Sequence, residues 1–304
     1  MVLSQLGDDI LLSQINLAGT HDSCTAFVSM ENMSRCQLLT VKEQLSMGIR
    51  LFDIRLNRSG EEFYLVHSLA DCFSDKEKKS KLTFGEVLKD FREFLIENPL
   101  ETIVVSVKQD RGIMSRSFFP AFYNKYIKGS EDEWYLKNEN PSLSDCRGKM
   151  VLMRRCKVWR SFLKGTDAGL DFSYWKDQSG KRKTTPELVI LSCDRHHSKD
   201  ALLSAVVQDR YSLAPGKKWH DCAKPFLDGC VTEPGIFSLH FISTSHRKKG
   251  ETLVETASEM NSFFSEYELR KNEAQGWFFL DFPTKELCDK IMKSNFGIYE
   301  VKEK

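Results

Sequence analysis

The sequence has little of what marks several large classes of protein. Its 304 residues carry a net charge of only +1, and no basic stretch is interleaved with aromatic residues, so we expect no binding to nucleic acid. The longest apolar runs are far shorter than the roughly 20 residues that cross a membrane as a helix. Solenoid repeats and low-complexity segments do not occur. These absences favour an ordinary globular chain without a transmembrane segment.

Cysteines are present but form no recognisable framework. There are nine, an odd number, and no two of them make a CxxC pair, which argues against a zinc site. The first residues, Met1 to Asp9, show neither the basic region nor the apolar region of a signal peptide. We therefore predict reduced thiols and a cytoplasmic protein, the alternative being a secreted protein whose leader has been removed.

The chain alternates between strand-like and helix-like segments along its whole length. Its hydrophobic content of 41%, with 21 phenylalanines, is ample for a large core. The clearest helix signal is the capping box Thr83-Phe84-Gly85-Glu86, followed by apolar residues at helical spacing up to Asn98-Pro99. Other helical patterns cover 217–229, 251–271 and 284–294, and helices are expected to be short or missing within 157–200. The strand candidates are 15–20, 49–56, 62–68, 101–108, 149–155, 203–209, 236–243 and 276–282.

Eight strands alternating with helices predict an α/β fold, a single irregular TIM-type (β/α)8 barrel. No linker divides the chain, so 1–304 is predicted to be one catalytic domain. We also expect the protein to be a monomer. In such a barrel, functional groups gather at the carboxyl ends of the strands.

Two histidines follow apolar runs early in the chain. His21 lies in Ala18-Gly19-Thr20-His21-Asp22-Ser23, and His67 lies in Leu65-Val66-His67-Ser68. Between them, Asp53 and Arg55 are two residues apart on a third run and so share one face of a strand. Displacement at phosphorus needs a base, an acid and a cation for the phosphate oxygens, and two imidazoles with a guanidinium supply them.

The later strand candidates also end in polar residues. A charge after an apolar strand is commonly just the first solvated residue, but a complete ring of such groups indicates function. These residues are Lys108, Asp110, Arg154, Arg155, Asp209, Tyr211 and Asp281.

In these runs the chain resembles the bacterial, metal-independent phosphatidylinositol-specific phospholipases C. These enzymes belong to the superfamily of phosphodiesterases whose catalytic domain is similar to the X domain of phospholipase C. The resemblance follows the family order from residue 15 to 283. The matching runs are Gly19-Thr20-His21-Asp22-Ser23, Phe52-Asp53-Ile54-Arg55, Val66-His67, 101–108, 148–155, 207–211 and Phe279-Leu280-Asp281-Phe282.

The resemblance implies roles for these residues. His21 would be the general base that takes the proton of the inositol 2-hydroxyl, with Asp281 orienting it. His67 would be the general acid for the diacylglycerol oxygen, with Asp22 behind it.

The remaining roles implied by the resemblance concern binding. Arg55 would grip the phosphate and be held by Asp53. Relatives that need calcium carry carboxylate ligands where Arg55 stands, so the resemblance implies no metal and no cofactor. The residues that would bind inositol are Lys108, Arg155, Asp209 and Tyr211.

The implied activity is cleavage of phosphatidylinositol in membranes to diacylglycerol and inositol 1,2-cyclic phosphate. The protein would bind the membrane reversibly, and the cationic loop 246–250 is a candidate for contact with anionic lipid. Two alternatives stay open: a catalytically weak inositide- or membrane-binding relative, and an enzyme that cleaves glycosyl-phosphatidylinositol anchors. A metal-dependent glycerophosphodiester phosphodiesterase is disfavoured by Arg55.

Overall fold

The computed structural model describes residues 3–174, 176–179, 187–190, 203–230, 233–246 and 250–298. All eight predicted strand segments contain strands, and four short strands are added to them. The strands are β1 Leu17–Thr20, β2 Leu51–Ser59, β3 Glu62–His67, β4 Ala70–Asp71, β5 Ile103–Gln109, β6 Trp134–Tyr135, β7 Met150–Arg154, β8 Leu170–Asp171, β9 Glu187–Ile190, β10 Ser204–Gln208, β11 Ile236–Phe241 and β12 Trp277–Leu280.

Helices separate most of the strands. The capping box predicted at Thr83 forms, with both of its hydrogen bonds, and the helix that it starts ends before Asn98. Pattern 217–229 becomes two short helices joined by a π-helical turn at Trp219–Ala223. The helices are α1 Glu31–Ser34, α2 Val41–Met47, α3 Phe84–Glu97, α4 Phe118–Tyr126, α5 Leu143–Cys146, α6 Arg160–Leu163, α7 Pro215–Lys218, α8 Lys224–Gly229, α9 Leu253–Glu266 and α10 Lys285–Ser294.

The centre of the molecule is a curled and mainly parallel sheet in the order β6-β7-β5-β2-β1-β12-β11-β10-β9. Runs such as 103–107, in which Ser106 is the one polar residue, and Trp277–Leu280 are buried on both faces, as parallel strands between helices and a barrel interior must be. Because β1 pairs with β12 and with β2, the ends of these three strands meet. None of the described helices is long and apolar enough to cross a membrane.

Strand β3 corrects the sequence prediction that 62–68 is a parallel barrel strand. It runs antiparallel to β2, with Leu56 opposite Leu65 and Ser59 opposite Glu62. β2 is nine residues long and outruns its parallel neighbour β1, so its last residues are free to pair with a strand that turns back at Gly60. The hairpin returns His67 toward the rim of the sheet.

The described strands do not close the sheet, whose edges are β6 and β8 at one end and β9, antiparallel to β10, at the other. The side chain of Gln178 adds two hydrogen bonds near the end of β10. Its amide nitrogen donates to the Val207 carbonyl at 2.9 Å, and its oxygen accepts from the Asp209 amide at 2.9 Å. A side chain thus fixes the end of β10, from which two predicted binding residues project.

Candidate active site

The predicted catalytic residues come together at the carboxyl ends of β1, β3 and β12 and around the middle of β2. His21 follows β1 directly, and Asp281 follows β12. Since these two strands are paired in register, Thr20 against Leu280, the next residue of each is brought side by side. The backbone amide of His21 also donates to the Leu280 carbonyl at 3.0 Å.

His21 lies between two carboxylates. Its Nδ1 is 2.8 Å from Asp281 Oδ1, and its Nε2 is 3.1 Å from Asp22 Oδ2. Burial by itself lowers the pKa of His21, but the negative charges of Asp281 and Asp22 outweigh burial, so the pKa is raised above its usual value. The ring packs edge-on against Phe241 at 6.1 Å between centroids. The predicted pairing of His21 with Asp281 is present in the geometry.

His67 faces His21, with the two ring centroids 6.2 Å apart and the rings nearly perpendicular. Its Nδ1 is 2.8 Å from the Ser34 carbonyl, and its Nε2 is 3.4 Å from Asp22 Oδ2. This corrects the expectation that Asp22 stands behind the ring. The backbone of Ser34 holds the rear nitrogen, while Asp22 lies in front, between the two imidazoles.

Arg55 is fixed by carboxylates on two sides. Its Nε is 2.8 Å from Asp53 Oδ2, and one terminal nitrogen is 3.0 Å from Asp22 Oδ2. Asp110 lies 3.9 Å from the same nitrogen. Burial would raise the pKa of Asp53, but Arg55 and Arg155 overcome it and hold that pKa well below its usual range. The guanidinium is only 13% exposed, so it is oriented before any substrate arrives.

Three residues beside the catalytic groups have left-handed backbone conformations that non-glycine residues rarely adopt. They are Asp22, Ser68 and Phe282, with φ of 44°, 53° and 44°. Each is held by a hydrogen bond from its backbone amide: to Asp53 at 3.3 Å, to Asp110 at 2.8 Å and to the Cys36 carbonyl at 3.0 Å. Such conformations persist only where the surroundings enforce them, and they cluster at functional sites.

The predicted rim residues on β5 and after β7 lie next to this cluster. Lys108 is opposite Arg55 in the sheet register, and its Nζ is 2.7 Å from Asp110 Oδ1. Arg155 is 3.1 Å from Asp53 Oδ1. Burial and the positive charges of Arg55 and Arg155 lower the pKa of Lys108.

Asp209 and Tyr211 lie close to the site, but not on one face of a strand. β10 ends at Gln208, so strand alternation cannot place the two on one side, and the Tyr211 amide donates to the Asp209 carbonyl in a turn. The hydroxyl of Tyr211 donates to Asp177 at 2.5 Å. Charge from Asp209 is felt by both Arg55 and Arg155.

Several residues of the site had been given no specific role. Asp110 was named only as a polar residue at the end of a strand candidate, and it lies 3.9 Å from Arg55 and 2.7 Å from Lys108. Gln37 donates to the carbonyls of His21 (2.7 Å) and Leu280 (2.9 Å). Neither Gln37 nor the Ser34 carbonyl has a sequence signal, because their contacts come from the path of the loop between β1 and α2.

One group of side chains in the described part of the chain has the spacing of metal ligands: His21, Asp22 and Cys36, with ligand atoms within 4.8 Å of one another. It offers a single carboxylate, whereas calcium takes six to eight oxygen ligands. Arg55 already contacts that carboxylate. The group does not fit calcium.

Comparison with known proteins finds similarity to phosphatidylinositol-specific phospholipases C. Residues 20–156 match the phosphatidylinositol-specific phospholipase C X domain. A 1-phosphatidylinositol phosphodiesterase of Staphylococcus aureus (strain Newman) is 29% identical over 163 residues, which are 50% of this chain and 50% of the relative. One of Listeria monocytogenes is 22% identical over 313 residues, 96% of this chain and 84% of the relative. The match spans only about half the length of the S. aureus relative.

Solved structures show the same fold. The phosphatidylinositol-specific phospholipase C of S. aureus superposes with a TM-score of 0.73 at 20% identity over 96% of both chains. The enzyme of L. monocytogenes gives 0.71 at 20% identity, over 97% of this chain and 99% of that one. The predicted fold class, an irregular TIM-type barrel, and the predicted family resemblance are confirmed. The X-domain match contains His21, Arg55 and His67 but ends before Asp209, Tyr211 and Asp281.

Proposed function

We propose that this protein is a phosphatidylinositol-specific phospholipase C, a lyase that cleaves phosphatidylinositol to diacylglycerol and inositol 1,2-cyclic phosphate. The observation that carries the proposal is the pair of imidazoles 6.2 Å apart, with Arg55 bound to the carboxylate between them. The relatives named as 1-phosphatidylinositol phosphodiesterases support the same assignment.

The proposed reaction is an in-line displacement within one molecule. His21 Nε2 takes the proton of the inositol 2-hydroxyl, and that oxygen forms a bond to phosphorus. The bond from phosphorus to the glycerol oxygen breaks, and His67 Nε2 donates a proton to the departing diacylglycerol. Reaction therefore requires neutral His21 and protonated His67, and Asp22 between them stabilises whichever ring is charged.

Arg55 binds the phosphate oxygens and stabilises the charge that grows on them in the transition state. Its orientation by Asp53 and Asp22 removes most of the cost of ordering it. Lys108, Arg155 and Asp209 would bind inositol hydroxyls, and Tyr211 would lie against the ring. The positive charges of Arg55, Lys108 and Arg155 would also attract the negatively charged headgroup of phosphatidylinositol at a membrane surface.

The test is incubation with phosphatidylinositol vesicles in the presence of EDTA, followed by phosphorus NMR. Cyclic inositol phosphate should appear, and phosphatidylcholine, which has no 2-hydroxyl, should stay intact. Binding to phosphatidylinositol without any cyclic product would instead favour the inositide-binding relative. Release of a glycosyl-phosphatidylinositol-anchored protein from cells would identify the anchor-cleaving alternative.

The roles of the two histidines are separable. His21→Ala and His67→Ala should each lower turnover by about 10²–10⁴, the usual contribution of general acid–base catalysis. A substrate with a more acidic leaving group needs no protonation and should restore His67→Ala in part, but not His21→Ala. Equal restoration of both variants would mean that the roles are assigned wrongly.

A further inference from the structure

The loops that follow β5 and β7 enclose a cavity of about 350 Å³ beside the candidate active site. Three cationic side chains line it, Arg116, Arg155 and Lys157, and no acidic residue is among the described residues that form its wall. A concave site of this size with convergent cations has the form of a binding site for a small anion or an anionic headgroup.

Two of these cations have no acidic partner among the residues that the structure describes. The guanidinium of Arg116 lies 4.7 Å from the centre of the Trp159 ring, and Lys157 Nζ lies 5.4 Å from that of Tyr174. Both contacts are with aromatic faces, which position a cation without neutralising it. The positive charge of the cavity is therefore available to a ligand.

The same two loops carry large apolar side chains that are exposed. Ile113 is 91% exposed, Met114 66% and Trp159 55%, all in the loops after β5 and β7. Met114 and Arg116 are themselves in the wall of the cavity. Large apolar side chains exposed in this way mark a site of interaction with protein or membrane.

We propose that this cavity is an accessory site for one anionic phospholipid that is not the substrate, with the headgroup phosphate on Arg116 and Lys157 and the acyl chains along Ile113, Met114 and Trp159. The cations of the cavity would bind the anionic headgroup, and the apolar side chains of the same loops would contact the hydrocarbon chains. The choice of a lipid rather than a free phosphate as the occupant rests on the proposed function, which brings the protein to a membrane.

The accessory site is next to the catalytic cluster. Arg155 lines the cavity and also binds Asp53, which in turn holds Arg55. A lipid in the cavity would therefore keep the mouth of the barrel at the membrane surface, within one side chain of the groups proposed to bind the substrate headgroup.

The experiment measures sedimentation of the full chain with vesicles of phosphatidylcholine mixed with phosphatidylglycerol. Phosphatidylglycerol has no inositol, so turnover does not interfere. Arg116→Gln/Lys157→Gln should weaken binding at least ~10-fold, since each basic residue near an anionic surface contributes on the order of a fivefold change in affinity. Ile113→Ser/Met114→Ser should weaken it as well. Cleavage of monomeric short-chain phosphatidylinositol should be unchanged in both variants.

Matched controls exist elsewhere on the surface. Lys42→Gln/Lys89→Gln removes two exposed lysines on α2 and α3, and Ile96→Ser/Leu100→Ser removes two exposed apolar residues near the start of β5. Wild-type affinity in the Arg116/Lys157 variant, or equal losses in the controls, would overturn the site. Displacement by inorganic phosphate as effective as by short-chain phosphatidylglycerol would overturn the lipid as its occupant.

The two proposals fail separately. Vesicle binding that depends on Arg116 and Lys157, without cleavage of monomeric phosphatidylinositol, would remove the proposed function and keep the accessory site. Cleavage of monomeric phosphatidylinositol by a protein whose vesicle binding does not depend on Arg116 and Lys157 would remove the accessory site and keep the proposed function.

Discussion

Asp22 contacts three of the proposed catalytic side chains through a single oxygen. Its Oδ2 lies 3.1 Å from His21, 3.4 Å from His67 and 3.0 Å from Arg55. The carboxylate is almost fully buried, and a buried charge must be paired to be tolerated. It therefore links the protonation of the two rings to the position of the phosphate clamp.

The carboxylate of Asp281 should set the pH at which His21 becomes a usable base. Since Asp281 raises the pKa of His21, Asp281→Asn should lower that pKa while its amide oxygen still accepts from Nδ1. A general base is active when neutral, so the acidic limb of kcat/KM against pH should move to lower pH. The control is Asp289→Asn, because Asp289 forms an ion pair with Lys285 on α10. A limb that stays in place or moves upward would contradict this assignment.

Arg55 should be irreplaceable by lysine, and no metal should take its place. Arg55→Lys keeps the charge but loses the two-pronged contact with Asp53 and Asp22, so we expect a loss of about 10²–10³ in kcat. Wild-type activity should persist in EDTA, and calcium should not restore the variant. Loss of wild-type activity in EDTA with recovery in calcium would reject the metal-independent mechanism.

At the scale of elements, the hairpin of β2 and β3 carries His67 to the site. Phe63 on β3 packs edge-on against Phe118 (5.2 Å), Phe122 (5.6 Å) and Tyr126 (5.7 Å). Among the described strands β3 pairs only with β2 and with the two-residue β4, so packing on α4 adds to the interactions that hold it in place. The position of the proposed acid thus depends on an aromatic cluster outside the parallel sheet.

The close approach of β11 and β12 depends on a glycine. Gly276 has φ of 114°, and a Cβ there would lie 2.2 Å from the Ser238 carbonyl. Gly276→Ala should lower the free energy of unfolding by about 3 kcal/mol or more, from steric conflict plus backbone strain. Urea denaturation measures it. Gly229→Ala, at a position with nothing within 4 Å and no positive φ, should leave stability nearly unchanged. Similar stability of both variants would contradict the steric argument.

At the scale of the whole molecule, stability and the proposed chemistry lie at opposite ends of the barrel. Glu101 precedes β5 and Arg50 precedes β2, and Nε of this arginine is 2.7 Å from the carboxylate. The carboxylate also accepts from the amides of Leu3 and Ser4, at 3.3 and 2.8 Å. The amino-terminal ends of the strands are thereby joined to the first residues of the chain.

Loss of this ion pair should destabilise the fold without changing the chemistry. Glu101→Ala leaves Arg50, 3% exposed, as an unpaired buried charge, which costs about 3–5 kcal/mol. The midpoint temperature of thermal unfolding should fall, while kcat per folded molecule stays at the wild-type value. An Arg50→Met/Glu101→Leu double variant should recover much of the stability. A fall in kcat as large as that of Arg55→Lys would contradict the separation of the two ends.

Local sequence was enough for the elements and for most of the candidate site. Short apolar runs such as 103–107 are typical of buried strands, and this one forms β5. The Thr83 capping box starts a helix through contacts within four residues. The rule that chemistry follows the carboxyl ends of strands then selected His21, Arg55 and Asp281 from the sequence.

Only the tertiary structure decided what depends on where separate segments meet. The antiparallel course of β3 follows from the length of β2 relative to its neighbours, which no single segment encodes. The position of Asp22 between two rings, and the Ser34 carbonyl behind His67, come from the path of one loop across the barrel mouth. The sequence by itself determined which groups reach the rim, because strand periodicity is local. Which of these groups form ion pairs, and how their pKa values shift, depends on distances that exist only after the sheet has curled.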